Sequence, residues 1–234
     1  GPSRGRWPGA NRKGGPSAMA KGSEELAQAR RDEIINACAR LYETMNFKDV
    51  TLKDISAQTS FTRTLIYYYF HTKEEIFLAL LQREYEAWIG DLTDIRARHQ
   101  RMSVDQFADA LAHSLERRRR LLKLLSMNHY DMEANSRMEN LVAFKTAYGG
   151  SLQAVCLCLE QFFPQMTQGD IQGFLYAFFP FLFGIYPYTV ITEKQREAME
   201  RSHTPYLSLS IYEITRSMVV KLLRGGTPRA ETAE

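Results

Sequence analysis

The chain has 234 residues, 44% hydrophobic and 24% charged. That is enough to bury a sizeable core, and it excludes a disordered or fibrous chain. The formal charge of +3 is no argument for nucleic acid: Arg4, Arg6, Arg12, Lys13 and Lys21 stand before residue 23 without an acid, leaving −2 for the rest.

Residues 1–22 are rich in Gly, Pro and Arg and have no periodicity. They read as an expression-vector remnant or disordered arm, with the native start near Met19. A basic arm reaching into a DNA minor groove is the functional alternative. The first helix is predicted over Glu24–Met45, with Ile34, Ala37, Cys38, Leu41 and Met45 as its inner stripe. Asn46 would end it in left-handed geometry.

The chain then reads Thr51-Leu-Lys-Asp-Ile-Ser-Ala-Gln-Thr-Ser-Phe-Thr-Arg-Thr-Leu-Ile-Tyr-Tyr-Tyr-Phe70. Thr51 and Asp54 have capping-box spacing and open a short helix to about Thr59. Ser60 and Phe61 break it, and Thr62 caps a second helix running to about Phe70. At 3.6 residues per turn, Ile66 and Phe70 fall on one side with Tyr69 at the margin. Thr64 and Tyr68 fall opposite, and Tyr67 and Leu65 flank them. No Asp or Glu occurs between Ile55 and Lys73, so nothing on this stretch repels phosphate. Two short helices, a tight turn and a polar aromatic outer face are the pattern of a helix-turn-helix.

Thr72 and Glu75 are placed for a reciprocal capping box at the start of a fourth helix, which reaches about Arg98, roughly 39 Å at 1.5 Å per residue. Ser103 and Gln106 repeat that logic for a fifth. The run Arg117–Arg120 reads as a solvated helix end or link. A long helix is predicted over 135–163 with Gly149-Gly150 in its middle, marking a kink or the close approach of a neighbour or ligand. The segment 170–188 is the most apolar, and Pro180 should kink it. The last helix is predicted over 204–223. No apolar run looks long and uninterrupted enough to span a bilayer. No strand pattern and no internal repeat is visible.

No catalytic constellation stands out. The five histidines are scattered without zinc spacing. Cys156 and Cys158, two apart on a helix, point to different sides and read as small packing residues. With Cys38 they make an odd number, which fits a reducing cytoplasm. His113, His129 or Glu133 could line a pocket, although a lone polar residue on a helix is more often solvated. No cofactor and no metal is expected.

The stretch from Asp54 to Phe77 resembles the DNA-binding signature of the TetR family of transcriptional regulators. Asp54 and Ile55, Thr62 at the cap, Tyr67, Tyr69 and Phe70, then Lys73 with Glu74, match that pattern. Ser60 stands where the family prefers Gly, and Phe61 where it prefers Val. The resemblance covers about Arg30 to Leu81; beyond it only architecture carries over.

It implies an all-α chain: a helix-turn-helix head at 23–72, a ligand-binding and dimerisation body at 73–224, and a loose tail at 225–234. The implied partners are a double-stranded DNA operator, a small-molecule effector of apolar or aromatic character, and a second copy in a homodimer through the last two long helices. On this reading Thr64, Tyr67 and Tyr68 face the major groove, with Arg63 and Thr62 at the helix start, and Thr51, Tyr69 and Lys73 touch phosphates. Trp88, Phe107, Met127, Phe144, Tyr148, Phe174 and Phe178 are the candidates for an effector pocket. The rival readings are an all-α enzyme and a protein-binding adaptor whose head does not bind DNA.

Overall fold

The computed structural model describes residues 18–127 and 129–225, so most of the basic arm and the tail lie outside the described residues. Among them there are eleven α-helices, one 3-10 turn and no strand. Helix α1 (Ala18–Tyr42), a 3-10 turn (Phe47–Asp49), α2 (Leu52–Ala57) and α3 (Arg63–Tyr69) form the head. The central helix α4 (Lys73–Arg98) leaves it and becomes the axis of the body. There follow α5 (Val104–Glu116), α6 (Arg119–Leu125), α7 (His129–Ala134), α8 (Met138–Phe162), α9 (Gln168–Thr189), α10 (Glu193–Arg201) and α11 (Ile211–Arg224).

One continuous core runs through both parts, because α4 is buried on more than one side. Ile76, Phe77, Leu80 and Leu81 pack towards the head, and Tyr85, Trp88 and Leu92 towards the body, each no more than 1% exposed. Helix α8 lies along α4, and α11 packs on α5 and α9. The close fit of α8 to α4 explains half of the glycine pair: a Cβ on Gly150 would stand 3.1 Å from Ile89 Cδ1, whereas Gly149 faces nothing within 4 Å. The pair marks the approach of a neighbouring helix.

Several local expectations are corrected. Asn46 has φ −86°, not left-handed, and α1 gives way to a 3-10 turn instead. Helix α9 continues through Pro180 and Pro187, so neither proline breaks the helix. Both prolines lie on exposed positions, where water can satisfy the carbonyls they leave without a donor. By length and composition α8 is apolar enough to cross a bilayer, contrary to expectation, yet it packs lengthwise on α4. The last helix begins seven residues late. His203, at φ 56°, turns the chain out of α10, and Ser210 caps α11 by accepting from Glu213 N. Pro205, which cannot donate, lies in the non-helical stretch between them.

Candidate DNA-binding interface and effector cavity

Side-chain hydrogen bonds shape the head locally. Thr51 accepts from Asp54 N at 3.1 Å, and the Asp54 carboxylate accepts from Thr51 N at 3.0 Å, so the capping box forms in full. The turn closes when Ser56 Oγ donates to Phe61 O at 2.8 Å and Phe61 N donates to Thr59 Oγ1 at 3.2 Å. No non-glycine residue here has positive φ, so Ser at position 60 needs no left-handed backbone. Instead Ser60 donates from both N and Oγ to Glu33 Oε1 on α1, at 3.0 and 3.1 Å. Thr62 caps α3 by accepting from Leu65 N.

Helix α3 is thereby held on one side and open on the other. Ile66 and Phe70 are fully buried. Thr62, Arg63 and Thr64 are exposed, Tyr67 is 46% exposed and Tyr68 is 76% exposed. Two of the residues expected at phosphates have partners within the head. Tyr69 is only 9% exposed, and its hydroxyl accepts from Arg30 Nη1 at 3.4 Å, so its ring anchors α3 to α1. Lys73 Nζ donates to Phe47 O at 2.7 Å and lies 4.2 Å from the Phe47 ring centroid, so it ties α4 to the preceding turn. Thr51 remains exposed.

The expected reciprocal box at Thr72 and Glu75 is half formed. Thr72 accepts from Glu75 N, but the Glu75 carboxylate turns away from Thr72. It accepts from His71 N at 2.7 Å, from Arg137 N at 2.7 Å and from the Arg137 guanidinium at 3.0–3.3 Å. Arg137 also donates to Tyr69 O at 3.1 Å. One arginine at the start of α8 therefore holds both the base of α4 and the end of α3. Burial alone would raise the Glu75 carboxyl; the guanidinium and the N–H groups of Arg137 and His71 outweigh it and hold it at about 2.

In the body, a cavity of about 310 Å³ opens between α4, α7, α8 and α9. Of the seven pocket candidates, Phe144 and Tyr148 line it. The others do not. Trp88 is fully buried, donates to Ser114 Oγ at 3.0 Å and meets Phe179 edge-on. Phe107 packs on Phe162 and Phe163 near the far end of α8. Phe174 and Phe178 pack on each other within α9, and Met127 is partly buried against the core. These are core side chains, as large apolar residues at helical spacing usually are.

The rest of the lining is more polar than expected. His129 and Glu133, one turn apart on α7, face Lys145 of α8 across the cavity mouth. Lys145 Nζ pairs with Glu133 Oε1 at 2.7 Å and lies within 5.7 Å of both the Phe144 and Tyr148 ring centroids. His129 Nε2 is 2.8 Å from Leu125 O, and its ring meets Phe183 edge-on. Burial, and then the neighbouring Tyr148, push the Tyr85 phenol up, so it stays a neutral donor in the wall. His113 stacks instead on Tyr212, away from this cavity. His129 and Glu133 stand singly in the sequence as possible pocket residues; nothing in sequence ties Lys145 to them.

Among the described residues no group of three or more His, Cys, Asp or Glu is placed to hold a metal. Cys38 and Cys158 are buried and Cys156 is half-buried.

Comparison with known proteins agrees with this geometry. A family profile described as bacterial regulatory proteins, tetR family, matches residues 34–80, which run from the last turns of α1 to the first turns of α4. A second, described as tetracyclin repressor-like, C-terminal domain, matches residues 82–230, more than half the chain. An uncharacterized HTH-type transcriptional regulator of Bacillus subtilis, YfiR, is 28% identical over 97 residues, 41% of this chain. The chain spans about half, 47%, of that relative's length. The structure of the fatty acid degradation regulator FadR from Bacillus halodurans superposes with a TM-score of 0.54 at 14% identity, over 86% of this chain and 96% of that one. That likeness is one of fold: an all-helical body under a helix-turn-helix head. With both profiles matched in order along the chain, it belongs to the TetR family of bacterial transcriptional regulators, not to the enzymes.

Proposed function

We propose that this protein is a ligand-responsive repressor that binds operator DNA as a homodimer in the cytoplasm. The observation that carries the reading is the outer face of α3. Arg63, Thr64, Tyr67 and Tyr68 project from a helix whose opposite side is buried, with no acidic side chain between Ile55 and Lys73. Tyr68, 76% exposed on that face, suits stacking and hydrogen bonding in a major groove. Thr51 and Thr62, exposed at the two helix starts, stand where backbone amides and hydroxyls favour phosphate.

Release from DNA follows from the seam at Arg137. Helix α8 lines the cavity through Phe144, Lys145 and Tyr148, and seven residues before Phe144 the same helix start grips Tyr69 O and Glu75. An effector that wedges Phe144 and Tyr148 outward would move the grip on α3. It would shift the equilibrium by its differential affinity for the two arrangements and no more. The apolar wall and the Lys145–Glu133 rim favour an apolar or aromatic molecule with one polar end.

Gel-shift titration with DNA from upstream of the protein's own gene tests the reading. Binding that weakens steeply with salt is expected. Tyr68→Ala should weaken it by about tenfold, corresponding to roughly 1–2 kcal/mol for one lost base-edge contact. Equal binding by Tyr68→Ala and the parent at several salt concentrations would count against the α3 assignment.

For the homodimer, α9 presents Tyr176, 80% exposed, beside exposed Pro180 and half-exposed Phe183. Ile211 is buried within its own subunit, so charge there would damage the fold. Tyr176→Asp is the informative change, because it buries an unpaired carboxylate only if the face is covered. It should convert a dimer to monomer in light scattering at micromolar concentration, and a monomeric parent would sink the claim.

A further inference from the structure

The run Arg117–Arg120 links α5 to α6, with Arg117 and Arg119 exposed and Arg118 and Arg120 half-buried. Together with Lys123 it forms most of the wall of a cavity of about 380 Å³, where the end of α1, the middle of α4, α6 and α9 meet. Tyr42, Glu43, Glu84 and Tyr186 complete the wall. This cavity shares no lining residue with the one beside Phe144 and Tyr148.

Its charges do not balance. Arg118 is neutralised by a two-pronged bond to Asp91, at 2.7 and 2.9 Å. Arg120 is shared between Glu84 at 3.2 Å and Glu43 at 2.9 Å. Glu116, next to Arg117 in the chain, pairs instead with His113 at 3.3 Å. Lys123 Nζ is turned to the carbonyls of Tyr42 and Met45. Arg117 has no carboxylate partner among the described residues, and Arg119 has only the face of Tyr186, 5.5 Å away. The Arg120 Nε–H is buried with no acceptor. Burial, and then the charge of Arg119, lower the Lys123 pKa, so the ammonium already feels its neighbour's excess positive charge.

We propose that this cavity is a second ligand site, and that it takes the phosphate of a small phosphorylated molecule. Arg117 and Arg119, exposed on the cavity wall and without a carboxylate bond, supply the charge for a dianion. Guanidinium forks match phosphate oxygens in geometry as well as charge, and five cations on one wall exceed what structural pairing needs. Because Tyr42 ends α1 and Glu43 follows it, while the arginines belong to the body, an occupant would sit across the joint between head and body.

The test is isothermal titration calorimetry of the full chain with pyrophosphate and with inorganic phosphate, in a phosphate-free buffer and without DNA. One saturable site per chain is expected. Arg117→Ala and Arg119→Ala should each weaken it at least tenfold, with Arg119→Lys intermediate. Arg201→Ala, on α10 and remote from the cavity, should leave it unchanged. Helical content by circular dichroism confirms that the variants fold. No saturable binding up to millimolar pyrophosphate overturns the proposal, as does undiminished binding by the Arg117→Ala/Arg119→Ala double variant. Neither outcome bears on operator binding, which the gel shift reads separately.

Discussion

Two seams join the head to the body, and they are built on opposite principles. At the first, Arg137 of α8 grips Glu75 and Tyr69 O; the Glu75 side chain is 0% exposed. At the second, Arg120 of α6 reaches Glu43 of α1, whose side chain is 62% exposed. Both are arginine–glutamate pairs at hydrogen-bonding distance, so a tally of salt bridges would count them equally. Their surroundings make them unequal. A buried carboxylate that loses its partner is left in a low-dielectric site, whereas an exposed one returns to water. The first pair therefore ties the end of α3 firmly to the start of α8, whereas the second contributes little to a joint that Lys123 also holds through the carbonyls of Tyr42 and Met45.

The largest effect is expected when the buried seam is cut. Arg137→Ala strips Glu75 of its guanidinium and Tyr69 O of a donor. Loss of one member of a fully buried pair costs about 3–5 kcal/mol; Arg137 is itself about a third exposed, so about 2–4 kcal/mol is expected here. Urea unfolding reads this directly. Arg137→Lys should recover less than half, because a single ammonium cannot serve Glu75 and Tyr69 O in the same planar fork. Recovery to the parent value would show that charge alone, not the double grip, holds α3.

Acid probes the same seam without mutation. The folded Glu75 carboxyl sits at about 2, below its ordinary value of 4.5. Protonation thus favours the unfolded chain. The seam's contribution is fully present above pH 4.5 and is lost as pH falls towards 2. Linkage puts that loss at about 3 kcal/mol over the window. Glu75→Gln should flatten this part of the stability–pH curve. A curve of unchanged slope in the variant would assign the acid sensitivity to other carboxylates.

The difference between the seams also marks how far the sequence could be read. Thr51 with Asp54, and Ser103 with Gln106, form the capping boxes that their spacing announces, because donor and acceptor are three residues apart and nothing distant competes. Thr72 and Glu75 have the same spacing, yet Arg137, sixty-two residues away in the chain, takes the carboxylate. The outer face of α3 was legible from helical periodicity alone; the withdrawal of Tyr69 and Lys73 into the head was not, since their partners Arg30 and Phe47 come from other elements. The cavity was the least legible part. A cavity is where packed helices fail to meet, so aromatic residues named from composition mostly prove to be the packing itself, as Trp88 and Phe107 do. Arg117 and Arg119 are exposed, as the run reads in one dimension; Arg118 and Arg120 are not, because their partners lie 27 to 77 residues away.

The smallest effect is expected at the exposed seam. Glu43→Ala removes one of the two carboxylates on Arg120 and leaves Glu84, whose side chain is only 9% exposed, to hold the guanidinium. An exposed pair of this kind contributes roughly 0–1 kcal/mol and is screened by salt. The loss of unfolding free energy read by urea should therefore be under about 0.5 kcal/mol in physiological salt, where the Debye length is about 8 Å. It should grow slightly in dilute buffer, the reverse of Arg137→Ala, whose buried pair salt barely reaches. The Arg120→Ala variant calibrates the pair. It strands Glu84 as well as Glu43, so it should cost more than Glu43→Ala and depend less on salt. Equal and strongly salt-dependent losses in the two variants would mean that Glu84 is wetter than its burial indicates, and that the two seams differ less than their geometry implies.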